Sequence, residues 1–576
     1  MSKIYRFLFA FPAVAAGILV IWLVSGRRDE VPEGPVQGGR LVATLRSEPA
    51  SFNRLVSPHF AEDVFTRLTQ ASLLRLNRVT GELEPRLARE WSASADGLTW
   101  TLRLVEDAVF SDGTPFTSTD VLFSFGALYD ERVKSEVASS LRVNGLPLGV
   151  SAPDAHTVVI QFPAPYGPGL ALLDALPILP RHKLEAALAA GTFRDAWSVE
   201  TPLHDVVGLG PFVLSEYAPG ERLVFARNPH FWRRDPDGRP LPYLDELELQ
   251  IVSDQNTEML RLEAGQTDLT TDEIRAEDHV AMRRREEVGQ LRLTDAGVTI
   301  SPHLLWFNLA SPPAPGRAWL QQEAFRRAVS LAVDRRAIVD TVYLGAAEPI
   351  HGPVTPGHGE WFLPDLPHAD FNPDEARRLL VSVGLADRDG DGLLENDTGG
   401  QARFSILTGR GNSIRDRTLS VIQEQLRQVG LTVDIVSLEV GAMVERWAAR
   451  EYDTMYFHVV FDSFDPARNL EFWLSSGSFH FWNPRQAKPA TAWEARIDDL
   501  MRQQSMILEP VERRNLFAEA QRTLAEHLPV LYFAAPRLTY AMNARVHGAT
   551  PSVLQPGILW NAEVLSVGPV ASPTGR

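Results

Sequence analysis

The chain contains no cysteine. Disulfides, thiol catalysis, thiolate zinc sites and lipid attachment through cysteine are therefore excluded, while the redox compartment stays undetermined. Lysine is scarce too, with four residues among the 56 Lys and Arg, a composition bias rather than a site. There is no long basic run, and the formal net charge is -17. Such a surface repels phosphate backbones and argues against nucleic acid as a partner. Catalytic signatures are missing as well: no G-x-S-x-G elbow, no G-x-x-x-x-G-K-[ST] phosphate loop and no H-E-x-x-H pair. No internal repeat or low-complexity tract occurs. The chain reads as a non-enzyme without a cofactor.

What is present describes a folded protein. Hydrophobic residues make up 44% and charged residues 22%, near the averages for globular chains. At 576 residues two or three domains are expected. Lys3 and Arg6 precede an uncharged stretch from Phe7 to Gly26. It is long enough for a bilayer core, which takes ~20 residues, and longer than an ordinary secretory h-region. Residues 1–26 are thus a membrane anchor or a signal sequence, the length favouring the anchor. Both flanks carry basic residues, so the positive-inside rule gives no orientation. Residues 27–39, rich in proline and glycine, form a tether.

Regular patterning begins at Arg40. RLVATLR, LTWTLRL (Leu98 to Leu104) and HTVVIQF (His156 to Phe162) alternate as half-buried strands do. Asp112-Gly113 makes a turn, and Thr119 begins a helical run. GPFVLSEYAPGERLVFARN reads as two strands around a turn at Pro219-Gly220. Further on, Phe325, Ala328, Val329 and Ala332 form one helical stripe, Asp334 is the N-cap of the next helix, and Asn372-Pro373 opens another. RFSILTG, RDRTLSVIQEQLRQVG and LTVDIVSLE predict strand, helix and strand, with Leu419, Ile422, Leu426 and Val429 facing an open α/β sheet.

Four ordered segments carry a family resemblance. They are LEPRLAREWSASADGLTWTLRLVEDAVFSDGTPFTSTDVLFSF (Leu83 to Phe125), GLGPFVL (Gly208 to Leu214), YLDELELQIVSDQNTEMLRLEAGQTDL (Tyr243 to Leu269) and FRRAVSLAVDRRAIVDTVYLGAA (Phe325 to Ala347). From about Arg40 to Tyr540 the chain resembles the extracellular solute-binding proteins of ABC importers, family 5, the peptide-, nickel- and oligosaccharide-binding type. The resemblance implies an α/β, bilobal fold of the large three-domain periplasmic-binding-protein type. Lobe I would comprise 40–75, 201–296 and 526–576, with an inserted domain at 76–200, and lobe II would comprise 297–525. It implies a monomer on the extracytoplasmic side that closes on a peptide or similar small polar solute and docks on permease subunits. A membrane-tethered sensor or peptide chaperone of the same fold is the alternative.

In EYDTMYFHVVFDSFDPARN the resemblance gives Asp462, three residues before Asp465-Pro466, a salt bridge to a peptide's α-amino group. A fixed carboxylate suits a buried ammonium; a turn cap is the competing reading. His458 and Val460, on the preceding strand, would offer backbone groups to an extended peptide. Trp473 and Trp482 are candidate cleft aromatics, with core packing the alternative. His59, in a loop, falls where relatives place cleft residues, a solvated loop histidine being the competing and commoner reading. Asp387, Asp389 and Asp391 have the spacing of a calcium loop, but Thr398 stands where the bidentate glutamate belongs. His351, His358 and His368 match no compact metal motif. Asp498-Asp499, beside Glu494 and Arg496, reads as a solvent-facing charge network.

Overall fold

The computed structural model describes residues 35–310, 312–313 and 315–568. The anchor or signal segment and most of the tether lie outside the described residues. Among the described residues, no helix is long and apolar enough to cross a membrane.

The chain opens with β1 (Arg40–Leu45) and α1 (Phe60–Thr69). It then builds an antiparallel sheet from β2 (Ala88–Ala93), β3 (Thr99–Leu104), β4 (Gly149–Asp154) and β5 (Thr157–Gln161), in the order β2-β3-β5-β4. Helix α2 (Ser118–Tyr129) packs on β4 and β5, and Asp120 accepts a hydrogen bond from the backbone of its N-cap, Thr117. The hairpin β6 (Phe212–Ala218) and β7 (Arg222–Arg227) turns at Pro219-Gly220, and β8 (Glu246–Ile251) returns to β1. This sheet has the order β1-β8-β7-β6, with β1 parallel to β8. The first sheet of the chain is therefore interrupted by the β2–β5 unit, and one apolar core runs through both.

GLGPF sits where backbones meet. A Cβ on Gly208 would lie 2.0 Å from the Thr69 carbonyl oxygen, and one on Gly210 2.3 Å from the Thr69 carbonyl carbon. Only glycine lets this strand entry press against the end of α1.

From β9 (Leu291–Val298) the chain crosses at 299–302 to β10 (His303–Phe307), the start of a second body. That body holds α3 (Glu323–Ala332), α4 (Arg335–Thr341), β11 (Ala347–Pro349), α5 (Pro373–Ser382), β12 (Arg403–Gly409), α6 (Ser413–Gln428), β13 (Thr432–Leu438) and β14 (Thr454–His458). Then come α7 (Ala492–Met506), α8 (Pro510–His527), β15 (Val530–Tyr532) and β16 (Ala534–Asn543). Its sheet has the order β13-β12-β14-β10-β15, with β12 and β13 parallel across α6. The predicted faces are buried: Phe325, Ala328 and Val329 of α3, and Leu419, Ile422 and Leu426 of α6, are all 0% exposed. Asp334 accepts from the amides of Arg336 and Ala337, and Asn372 from that of Glu375, so both helices start where their caps predict.

The return to the first body falls between β15 and β16, later than the expected 526. The reason is pairing: Leu304, Leu305 and Trp306 of β10 stand opposite residues of β15, which ties α8 and β15 to the second sheet. β16 pairs with β9 and with β11. The first crossing touches β16, since the Thr299 amide donates to the Pro536 carbonyl at 2.9 Å. Two adjacent strand connections thus join the bodies.

Candidate functional site

Several cavities lie along the boundary between the two bodies. One of about 570 Å³ is walled by Arg46, Glu273, Arg275 and His279 on the first body and by His303 and Ser413, at the start of α6, on the second. Another, about 470 Å³, lies between Asn144 and Tyr166 of the insert and Asp462, Arg468, Glu471 and Arg502. A third, about 600 Å³, separates Thr80 and Gly167 from His358, Phe464 and Arg513. Crevices between bodies are preferred ligand sites.

Asp462 reaches its cavity through simple alternation. After β14 the chain runs on through Val459 and Phe461, both buried, with the Phe461 amide donating to Ser301 Oγ at 2.9 Å. Val460 and Asp462 therefore point the other way; Val460 is 62% exposed and the Asp462 side chain 65%. Arg468 Nη2 lies 3.5 Å from Asp462 Oδ2, while Arg468 Nη1 donates to the Ala171 carbonyl of the insert at 2.9 Å. The turn cap falls to Asp465, which accepts from the Ala467 amide at 2.9 Å and holds Arg513 through two bonds of 2.5 and 2.8 Å.

His458 is the last residue of β14, opposite His303 of β10. Burial, reinforced by His458 and Arg415, pushes the His303 imidazole down to about 3. Burial, with Arg415 adding to it, lowers that of His458. Both rings are neutral at neutral pH. His303 Nε2 and His458 Nδ1 are buried without a hydrogen-bond partner among the described residues.

Other expectations need correction. Trp473 and Trp482 are 4% and 1% exposed. Trp473 packs edge-on against Phe472 and Phe517, and Trp482 donates Nε1 to Glu494 at 3.2 Å. They are core residues, because their rings are already covered. Nor do Glu494 and Asp498 face solvent, being 4% and 1% exposed. Asp498 Oδ1 accepts from the Ser475 amide and hydroxyl, and only Asp499 keeps the surface ion pair with Arg496. His59 is exposed just before α1 and lines none of these cavities.

In the acidic loop, Asp387, Asp389 and Glu395 bring carboxylate oxygens within 4.8 Å of one another. Asp391 does not join them; it accepts from the Leu393 amide. Asp387 accepts from Gly390 and Gly392, and Glu395 from Arg388, so the loop satisfies its own carboxylates. His351 and His368 stack at 3.8 Å between ring centroids. His358 instead accepts from the Thr355 amide at 3.0 Å.

Sequence reasoning missed Arg468, Tyr166, Arg502 and the Asp465–Arg513 pair. Arg468 stood within the quoted segment, but a lone arginine six residues from a carboxylate carries no spacing signal. Tyr166 and Arg502 come from distant parts of the chain and had none.

A family model described as "Bacterial extracellular solute-binding proteins, family 5 Middle" matches residues 82–481. The "Probable ABC transporter-binding protein" of Deinococcus radiodurans is 26% identical over 505 residues, covering 84% of each chain. The "Di/tripeptide-binding protein 2" of Pseudomonas aeruginosa is 27% identical over 481 residues, 81% of this chain and 83% of that one. Among solved structures, the oligopeptide-binding protein AppA of Bacillus subtilis in complex with a nonapeptide superposes with a TM-score of 0.71 at 24% identity, covering 93% of this chain and 100% of that one.

Proposed function

The chain belongs to the bacterial extracellular solute-binding proteins of family 5, and we propose that it is the peptide receptor of an ABC importer. The family is non-catalytic, in keeping with the missing catalytic signatures. The observation that carries the peptide reading is Asp462. Its mostly exposed carboxylate stands on the wall of a cavity between the insert and the second body, at the end of the extended segment after β14. A peptide ammonium would meet that carboxylate, and its backbone would lie along residues 458–462, where main-chain bonding tolerates varied side chains. A similar protein is named for di- and tripeptides and another for an ABC transporter.

The crossings at 299–302 and between β15 and β16 would let the bodies close on the guest, and the closed face would dock on permease subunits. Residues 7–26 would hold the protein, or deliver it, to the outer side of the membrane.

Isothermal titration against di- to pentapeptides tests this. We expect a Kd of about 1 μM or tighter, about -8 kcal/mol, and a loss of about tenfold or more on N-acetylation of the peptide or in Asp462→Asn. No binding by any short peptide sinks the peptide reading. Undiminished affinity in Asp462→Asn sinks the placement of the ammonium.

A further inference from the structure

Away from the cleft, the junction of the first body with the insert buries an excess of positive charge. Arg54 and Arg67 both pair with Asp63, at 2.8 and 3.0 Å, and Arg67 reaches Asp174 at 3.4 Å. Asp174 is taken up further by Arg78 at 2.6 Å and by the Leu76 amide at 3.0 Å. Arg75 divides itself between Glu84 and Glu563, at 2.7 and 2.5 Å, and stacks over Trp560. Glu563 also takes Arg233 at 2.6 Å.

Arg86 is left over. Its side chain is 6% exposed, and its nearest carboxylate, Glu563, is 3.9 Å away, beyond hydrogen-bond reach. Among the described residues its guanidinium donates no hydrogen bond to the protein, and Nε is buried without a partner. Burial lowers its affinity for the proton, and Arg75 and Arg233 oppose the help from Glu563, but at about 9 it still carries its charge at neutral pH.

Arg54, Arg67, Arg75 and Arg86 line one small cavity of about 30 Å³, with Asp63 and Asp174 as its acids. Four guanidinium groups thus face two carboxylates, both already committed. Counting the neighbours as well, Arg54, Arg67, Arg75, Arg78, Arg86 and Arg233 stand against Asp63, Asp174, Glu84 and Glu563, so the excess is not cancelled there. A buried cation without a counter-charge is costly. The volume exceeds the ~10–15 Å³ that one water-sized particle needs. One small anion fits that room. Water would satisfy N–H groups but leave the charge.

We propose that this cavity is a binding site for a single monatomic anion, chloride under physiological conditions, held chiefly by Arg86. The anion accepts from Arg86 and offsets the field of Arg54, Arg67 and Arg75. By doing so it fastens the segment from Arg54 to Gln70 and the Trp560 region to the insert through Arg86 and Asp174. Gln70 also lines the cavity and keeps its Nε2 donating to the Val207 carbonyl at 3.4 Å.

Crystals of the full chain, grown or soaked in bromide in place of chloride, give the decisive readout by anomalous scattering. We expect a bromide peak within about 4 Å of the Arg86 guanidinium nitrogens. Density there without an anomalous signal means water, and overturns the proposal. In solution, melting temperature should rise with chloride while gluconate holds ionic strength constant, as binding to the native state requires. Arg86→Met and Arg86→Lys should lose that chloride-specific rise. A rise of wild-type size in a folded variant removes Arg86 from the site, and coincident chloride and gluconate curves for the wild type overturn the anion.

Discussion

His303 and His458 face each other across the antiparallel ladder of β10 and β14, their ring centroids 5.3 Å apart. Neither gains from a proton: burial and Arg415 oppose it at both rings, and His458 adds to the opposition at His303. With the His303 value depressed from ~6.5 in the unfolded chain to about 3 in the fold, the sign is fixed. Stability is fully present above pH ~6.5 and is lost as pH falls toward about 3, by up to ~1.4 kcal/mol per pH unit. Urea unfolding at pH 7 and pH 4.5 should therefore show a weaker acid loss in His303→Asn than in the wild type. Equal losses would remove His303 as the source.

Glu494 gathers buried donors at the start of α7. Its Oε2 accepts from the amides of Ala490 and Thr491 at 2.8 and 2.9 Å, and its Oε1 from Trp482 Nε1 at 3.2 Å, with His480 Nε2 also 3.2 Å away. Although burial raises it, these partners hold the carboxyl down at about 2. Glu494→Ala would strand several of these donors at once, so a loss of about 3 kcal/mol is expected. Chemical denaturation measures it directly, and a change under about 1 kcal/mol would mean that water replaces the carboxylate.

The fold was largely legible because its determinants are local. Asp334 and Asn372 cap helices from within three residues, and Leu419, Ile422 and Leu426 declare a buried face by spacing alone. The misreadings share a physical reason. Asp498 and Glu494 look like surface charge on a helix until Ser475, Trp482 and His480 arrive from a separate loop. Trp473 and Trp482 likewise carry no sign of which ring will cover them. The cleft residues Arg275, His279 and Tyr166 were invisible for the same cause, since cavities are assembled from segments far apart in the chain.

Gly210 and Gly220 separate two uses of one residue. A Cβ at Gly210 would strike backbone atoms of Leu68, Thr69 and Gln70, between 2.3 and 2.6 Å away, which have little freedom to withdraw. At Gly220, φ is +73° and nothing lies within 4 Å, so alanine brings only the left-handed penalty of ~1–2 kcal/mol. Gly210→Ala should be the more destabilising change, by about 3 kcal/mol or more, as overpacking against backbone demands. Paired thermal and urea denaturation decides; equal effects would show that the end of α1 gives way.

Asp465 and Arg513 tie the loop carrying Asp462 to α8. Arg513 spends Nη1 and Nη2 on Asp465, donates Nε to the Gln504 carbonyl at 3.0 Å and stacks over Trp361. Its side chain is 6% exposed. Removing the carboxylate alone leaves a buried, unpaired guanidinium, so Asp465→Ala should cost about 3–5 kcal/mol. The double change Asp465→Ala with Arg513→Met removes the stranded charge and should recover part of that loss. Peptide affinity supplies an independent readout. The single variant frees the turn after Asp462 and should weaken binding even at temperatures where the protein stays folded, whereas acetylated peptides, lacking the ammonium, should feel the change less. If both peptides weaken equally, the loop supports the whole cavity wall rather than orienting the Asp462 carboxylate.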